Sequence, residues 1–130
     1  MNPPRLSVLL PCRDAERHLD ECIASLGAQT LSDYEILAVN DGSSDGTPGI
    51  LERWAKRDPR VRVLRGTGSG IAEALSLAAS HARAEYLARM DADDVIHAQR
   101  FHLQWRFLQA RTEVAACGTG VRYFPRGRVG

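Results

Sequence analysis

The chain has 130 residues, 44% apolar and 25% charged, with a formal net charge of +1. That is enough for one modest domain with its own core, and the near-neutral balance argues against a nucleic-acid polymer or an anionic membrane surface as partner. Three cysteines, Cys12, Cys22 and Cys117, are odd in number, widely spaced and without a CxxC pair, which disfavours a zinc knuckle or a disulfide framework and suits reduced thiols in a cytoplasmic protein.

The N-terminal apolar run is too short for a signal peptide, and no segment approaches membrane-spanning length. Residues 5–11, "RLSVLLP", form a continuous apolar run ended by proline and predict a buried strand. In residues 13–30, Ala15, Leu19, Cys22, Ile23 and Leu26 fall at helical spacing, with Gly27 as a stop. "YEILAVN" (34–40) predicts a second buried strand. Residues 47–57 predict a second helix that buries Ile50, Leu51 and Trp54, with Thr47 as N-cap and Pro48 at the first helical position. A short strand at 61–65, an alanine-rich helix at 70–82 and a strand at 85–90 follow. Residues 97–110 look helical and 114–124 extended. Strand and helix alternate through residue 90, which predicts an α/β fold with a mostly parallel sheet and helices on both faces. Ligands of such sheets bind beyond the carboxyl ends of the strands.

At one of those ends, "DGSSDGTPGILE" (41–52) has the acid, glycine and closing glutamate spacing of a calcium-binding EF-hand loop. The flanks disagree: a strand precedes it where an EF-hand needs a helix, so it reads as a strand–turn–helix connection. The densest chemical signal is "RMDADD" (89–94). Asp91 and Asp93 stand two apart at a strand end, and Asp94 adds a third carboxylate. Oxygen ligands of this kind suit Mg²⁺ or Mn²⁺; a helix N-terminus favoured by the dipole is the alternative. "RGTGSG" (65–70) is glycine-rich, but Ile71 stands where a dinucleotide fingerprint needs its third glycine, and it follows the third strand rather than the first. The histidines read as surface residues; His18 and His81 fall on predicted helices, and His97 lies near the acidic cluster.

Together "SVLLPCRDAERHLDECIASLGAQT", "DYEILAVNDGSSDGT", "DPRVRVLR", "GIAEALSLA" and "EYLARMDADDVIHAQRF" resemble the family 2 glycosyltransferases, over nearly the whole chain and in the family's order. The resemblance implies a Rossmann-like GT-A fold and transfer, with inversion, of a sugar from a UDP- or GDP-type nucleotide-sugar donor to a saccharide, lipid or protein acceptor. It places Pro11, Arg13, Asp14, Asp41, Gly70 and Asp91 in the nucleotide-sugar site, with Asp41 on the base. It assigns a divalent metal, Mn²⁺ or Mg²⁺, to the D-x-D acids Asp91 and Asp93.

The sequence departs from the family pattern at Arg13 and Asp14 (an aromatic and Asn in the family), at Asn40, Gly68 and Ser76, and at Ala98, while Arg100 is kept. The family's domain also continues past the position of Gly130, and that part carries the acceptor site and the general base. Residues 1–130 are therefore expected to be the donor-binding N-terminal portion of one GT-A domain. Cut at the C-terminal side, it is inactive alone and self-associates through the strand edge around Val114–Phe124. A cytoplasmic location, peripheral to a membrane in a longer protein, fits that picture. A non-catalytic nucleotide-binding module and a dinucleotide-binding oxidoreductase are the other classes the residues leave open.

Overall fold

The computed structural model describes residues 2–120. Four strands, β1 (Leu6–Cys12), β2 (Tyr34–Asn40), β3 (Val61–Arg65) and β4 (Tyr86–Arg89), alternate with α1 (Leu19–Gly27), α2 (Thr47–Arg57), α3 (Ile71–Ser80) and α4 (Arg100–Ala110). The strands form one sheet in the order β3-β2-β1-β4, and every pairing is parallel. The chain starts in the middle, builds outward to β3, then crosses back to β4 on the other side of β1. The order thus reverses between β1 and β4.

β1 is buried along its whole length, which is why it reads as an unbroken apolar run rather than an alternating one. Its side chains still divide by face, as the two-residue period of a strand demands. Val8 and Leu10, with Ile36 and Ala38 of β2, meet Leu19, Cys22 and Leu26 of α1, Leu51 and Trp54 of α2, and Phe101 of α4. Leu9, with Leu37 and Val39, meets Ala74 and Ala78 of α3 on the opposite face. Each large apolar side chain buried this way contributes about 1.5–3 kcal/mol, and the two clusters together hold the sheet between its helices. The expected α/β fold with both faces covered is the one observed.

Several boundaries differ from those expected. The helix predicted over 13–30 is helical only from Leu19; Asp14 sits at φ 49°, and Ala15 and Glu16 spend their N–H groups on Thr47 Oγ1 at 2.9 Å and Asp45 Oδ2 at 3.2 Å. Ala15 is buried in the core, which explains why it fell on the helical period without being helical. α2 spans the expected 47–57, but Gly46 rather than Thr47 takes the N-cap position. Thr47 is its first residue after Gly46, and its hydroxyl reaches across to Ala15 instead of capping its own helix. His18 and His81 lie just outside α1 and α3. Residues 114–120 form no strand; the rest of the extended segment expected at 114–124 lies outside the described residues.

One polar network interrupts the apolar sheet. Ser7 and Glu35 are partners in the β1–β2 register and both are buried. Ser7 Oγ donates to Glu35 Oε2 at 2.6 Å, Arg83 donates its backbone N–H to the same oxygen at 2.7 Å and its Nε to Oε1 at 3.1 Å, and Ala84 N–H donates to Ser7 Oγ at 3.0 Å. Burial pushes the Glu35 carboxyl up, but these donors outweigh it and hold the group below its ordinary value. The network pins the turn before β4 against the middle of the sheet, and so sets where β4 delivers the acidic residues that follow it.

Candidate functional site

The reversal of strand order leaves a crevice beyond the carboxyl ends of β1 and β4, the usual place for a ligand in an open α/β sheet. A cavity of about 470 Å³ lies there, and its lining includes Pro11, Arg13, Asp14, Asp41, Gly70, Asp91 and Asp93. The residues that the family resemblance assigned to nucleotide or metal binding thus border one cavity; Asp94, the third acid of the cluster, does not line it. His18 and Ile71 line it too; neither was singled out, because a lone helix-border histidine and a helical isoleucine carry no signal on their own.

Three loops that contribute to this lining or support it are tied together by hydrogen bonds. Asp14 Oδ1 accepts the N–H of Ser44 at 2.8 Å, and Asp14 N–H donates to Ser43 Oγ at 3.1 Å. Asp45 accepts from Thr47 N–H at 2.9 Å, while Gly46 N–H donates to Glu16 Oε2 at 2.7 Å. Ser43 and Asp45, two of the residues that imitate an EF-hand, are therefore spent on joining the β1–α1 loop to the β2–α2 turn. The hydrogen bond with Thr47 holds the Asp45 carboxyl below its ordinary value.

Asp41 is buried and grips the third loop: Oδ1 accepts Gly68 N–H at 2.9 Å and Oδ2 accepts Gly70 N–H at 3.1 Å. Gly68 and Gly70 stand at φ 78° and 109°, a region that glycine enters freely, and this turns both amides toward one carboxylate. The glycine-rich turn is thus bound to a side chain of its own protein rather than open as a phosphate cradle at a helix N-terminus.

Beyond the end of β4, Asp91, Asp93 and Asp94 each offer a carboxylate oxygen, and these atoms lie within 4.8 Å of one another. This all-oxygen set fits a hard divalent cation such as Mg²⁺ or Mn²⁺. Arg89 lies 3.4 Å from Asp91 Oδ1 and offsets part of the mutual repulsion. Among the described residues this is the one group of acids, histidines or cysteines arranged to hold a metal. A second cavity of about 450 Å³ opens on the other side of the acidic loop, lined by Asp91, Asp94, His97 and Arg100 among others. Asp91 borders both. Arg100 donates to the Arg89 carbonyl at 3.0 Å and to Gln104 at 3.1 Å, tying α4 to the end of β4.

Cys12 lines the first cavity but is not placed for thiol chemistry. Cys12 and Cys22 are buried and unbridged. Burial, with Cys22 beside it, pushes the Cys12 thiol up to about 12, so it is inert as a nucleophile at neutral pH. No helix among the described residues is long and apolar enough to cross a membrane.

Known proteins share this architecture. Residues 7–129 match the model for "Glycosyl transferase family 2". The "Uncharacterized glycosyltransferase EpsJ" of Bacillus subtilis is 37% identical over 116 residues, 88% of this chain and 34% of that protein. The "Chondroitin synthase" of Pasteurella multocida is 30% identical over 95% of this chain and 13% of its own length. Among solved structures, the mannosyltransferase PcManGT of Pyrobaculum calidifontis in complex with GDP-Man and Mn²⁺ superposes with a TM-score of 0.75 at 26% identity, covering 83% of this chain and 33% of that one. TarS of S. aureus in complex with UDP-GlcNAc gives a TM-score of 0.76 at 23% identity, over 83% and 32% of the two chains, a likeness of fold. The chain spans between 13% and 44% of the first curated relatives it matches. With the family match running from β1 past α4 and the parallel sheet superposing on GT-A enzymes, the chain belongs to glycosyl transferase family 2.

Proposed function

We propose that residues 1–130 are the donor-binding portion of an inverting, metal-dependent glycosyltransferase that uses a UDP- or GDP-sugar. The observation that carries this reading is the cavity at the β1/β4 reversal, whose lining brings Arg13, Asp41 and Gly70 together with Asp91 and Asp93. The nucleoside lies against Pro11, Arg13, Asp14 and Asp41, with Gly70 closing the side. Asp91 and Asp93 hold the divalent cation, which supplies the positive charge that a departing diphosphate needs. Asp41 keeps lone pairs after accepting Gly68 and Gly70, and these are acceptors for the imide or amide N–H of a base. Arg13 contributes a guanidinium that stacks on a flat ring and donates at its edge. The relatives crystallised with UDP-GlcNAc and with GDP-Man and Mn²⁺ support the donor class and the metal.

The general base lies outside this segment. Such a base must reach the acceptor hydroxyl within hydrogen-bond distance. After Asp94 the only carboxylate is Glu113, which is exposed beyond α4. The family resemblance implies that the acceptor site lies in the part of the relatives that this chain does not span. Three unbridged cysteines suit the reducing cytoplasm, where we place the protein. The β4 edge, which pairs with β1 alone among the described strands, makes self-association part of this reading.

Calorimetric titration with UDP, GDP and NAD, each with and without Mn²⁺, tests it. The expected result is Mn²⁺-dependent binding of UDP or GDP and none of NAD. Asp93→Ala removes the proposed main ligand, so the metal dependence should disappear; unchanged Mn²⁺-dependent affinity in that variant would refute the assignment. Binding of the nucleotide with no Mn²⁺ effect in the wild type would favour a non-catalytic nucleotide-binding module.

A further inference from the structure

Gln29 is a buried polar side chain with no place in the chemistry above. It lies in the connection between α1 and β2, 7% exposed, and its whole amide is engaged. Nε2 donates to the Ser25 carbonyl at 3.2 Å and to the His97 carbonyl at 2.7 Å, and Oε1 accepts the N–H of Phe101 at 3.1 Å. The Ser25 carbonyl belongs to the last turn of α1, whose carbonyls have no partner within the helix. The Phe101 N–H belongs to the first turn of α4, which carries no side-chain cap of its own. One carboxamide therefore serves a helix end on each side. Its third bond, to His97, holds the stretch that leads out of the acidic loop, beside a backbone bond from Thr30 N–H to the Ala98 carbonyl at 2.8 Å.

Residues 90–99 contain no helix or strand. Their near end is anchored on β1, where Met90 N–H donates to the Leu9 carbonyl at 3.0 Å. Just beyond it, Cys22 Sγ makes a weak contact with the Asp91 carbonyl at 3.8 Å. The far end is anchored by Gln29 and Thr30. Asp91, Asp93 and Asp94 lie between these anchors, so the spacing of their carboxylates follows from where both ends are held.

We propose that Gln29 is a positioning residue: by holding His97 and Phe101 it sets the spacing of the three carboxylates and thereby the affinity of the loop for a divalent cation. The proposal rests on the reading of the acidic loop as a metal site. Only a carboxamide meets the demand, because two of its three partners are carbonyl acceptors and one is an N–H donor. Groups hydrogen-bonded directly to a metal ligand change affinity by about 10–100-fold; Gln29 acts through the backbone at the end of the loop, so the lower end of that range applies.

Gln29→Glu keeps the shape and sets carboxylate oxygens against two carbonyls. Three readouts apply to the chain as it stands: Mn²⁺-dependent UDP or GDP affinity by calorimetry, amide hydrogen exchange at residues 96–101, and Tm. The expected result is a loss of about tenfold or more in Mn²⁺-dependent affinity, with faster exchange at 96–101 even without metal. Leu51→Ala, on the buried face of α2, serves as a control that lowers Tm while leaving Mn²⁺ affinity unchanged. A second signature separates positioning from general destabilisation. An acid buried against carbonyls prefers its neutral form, and the neutral form donates to His97 while still accepting from Phe101. The affinity of Gln29→Glu relative to wild type should therefore recover as pH falls from about 8 to about 5.5. Wild-type Mn²⁺ affinity in Gln29→Glu, or a loss that merely tracks Tm as in Leu51→Ala, would overturn the proposal. If Gln29→Glu does not fold, Gln29→Met carries the affinity and exchange tests; if neither folds, the amide is a folding determinant and the positioning role is rejected. Absence of any Mn²⁺-dependent nucleotide binding in the wild type would remove the metal reading and this proposal with it.

Discussion

Glu35 shows how a single residue can be placed by the register of two strands. It is a carboxylate in a run of apolar residues, and from sequence alone it looks like an error in a buried strand. In the sheet it stands opposite Ser7 and takes donors from Ser7 and Arg83, so a group that burial alone would neutralise stays ionised. Its folded value is depressed below the ordinary 4.5. The stability it contributes is therefore fully present above about 4.5 and is lost as pH falls through the lower folded value. Glu35→Gln removes the charge-assisted bonds and should cost about 1–3 kcal/mol near neutral pH. Thermal melts of both proteins between about pH 3 and pH 7 check this: the gap in Tm should close toward the acid end. A gap that stays constant would mean that shape, not charge, is what the position needs.

The turns that carry the cavity depend on close backbone approach. A Cβ on Gly66 would lie 2.7 Å from Asp41 Oδ1 and 3.1 Å from Val39 Cγ1. Asp41 cannot move away freely, because it is buried and holds Gly68 and Gly70. Gly66→Ala should therefore displace Asp41, cost about 1–3 kcal/mol as an overpacked site does, and weaken nucleotide binding together with Tm. Gly27→Ala, where a Cβ meets nothing within 4 Å, is the matched control and should stay within about 0.5 kcal/mol of wild type. Equal behaviour of the two variants would show that the β3–α3 turn has more room than its contacts imply. The same reasoning explains why the glycine-rich turn resembled a dinucleotide fingerprint: close approach and positive φ are needed in both, but here they serve Asp41.

At the scale of the whole molecule, β4 pairs with β1 alone among the described strands, and Leu87 on it is 49% exposed. Beyond that strand a cavity of about 470 Å³ runs between β4 and α4, lined in part by Tyr86, Phe101 and Trp105. An open strand edge is a template for pairing with another chain, and two-fold dimers are the commonest closed result. The chain is therefore expected to self-associate, with the edge at β4 itself, since residues 114–120 form no strand. Light scattering over a range of concentrations decides: a monodisperse monomer at high concentration, with little apolar dye bound, would mean the edge is covered. A turnover assay belongs to the same scale. The carboxylates that line the first cavity are assigned to nucleotide and metal, so no sugar transfer is expected from these residues alone, and detectable transfer would locate the base inside them.

The sequence by itself determined the alternation of strands and helices, the parallel sheet, the family, and the loops that border the cavity, because periodicity and local turn chemistry are short-range properties. "RMDADD" was legible as a metal-binding candidate for the same reason: its acids are neighbours in the chain. Only the tertiary structure decided that residues 13–18 leave the helical path to pair with the β2–α2 turn. It also decided that Asp41 faces the glycine loop across 27 residues, that Glu35 is satisfied by Arg83 across 48, and that Gln29 reaches Phe101 across 72. Each of these is a polar group whose partner is distant in sequence. A glutamine in a loop or a glutamate in a strand carries no local sign of the donor or acceptor it will meet; that depends on which elements the sheet order brings together.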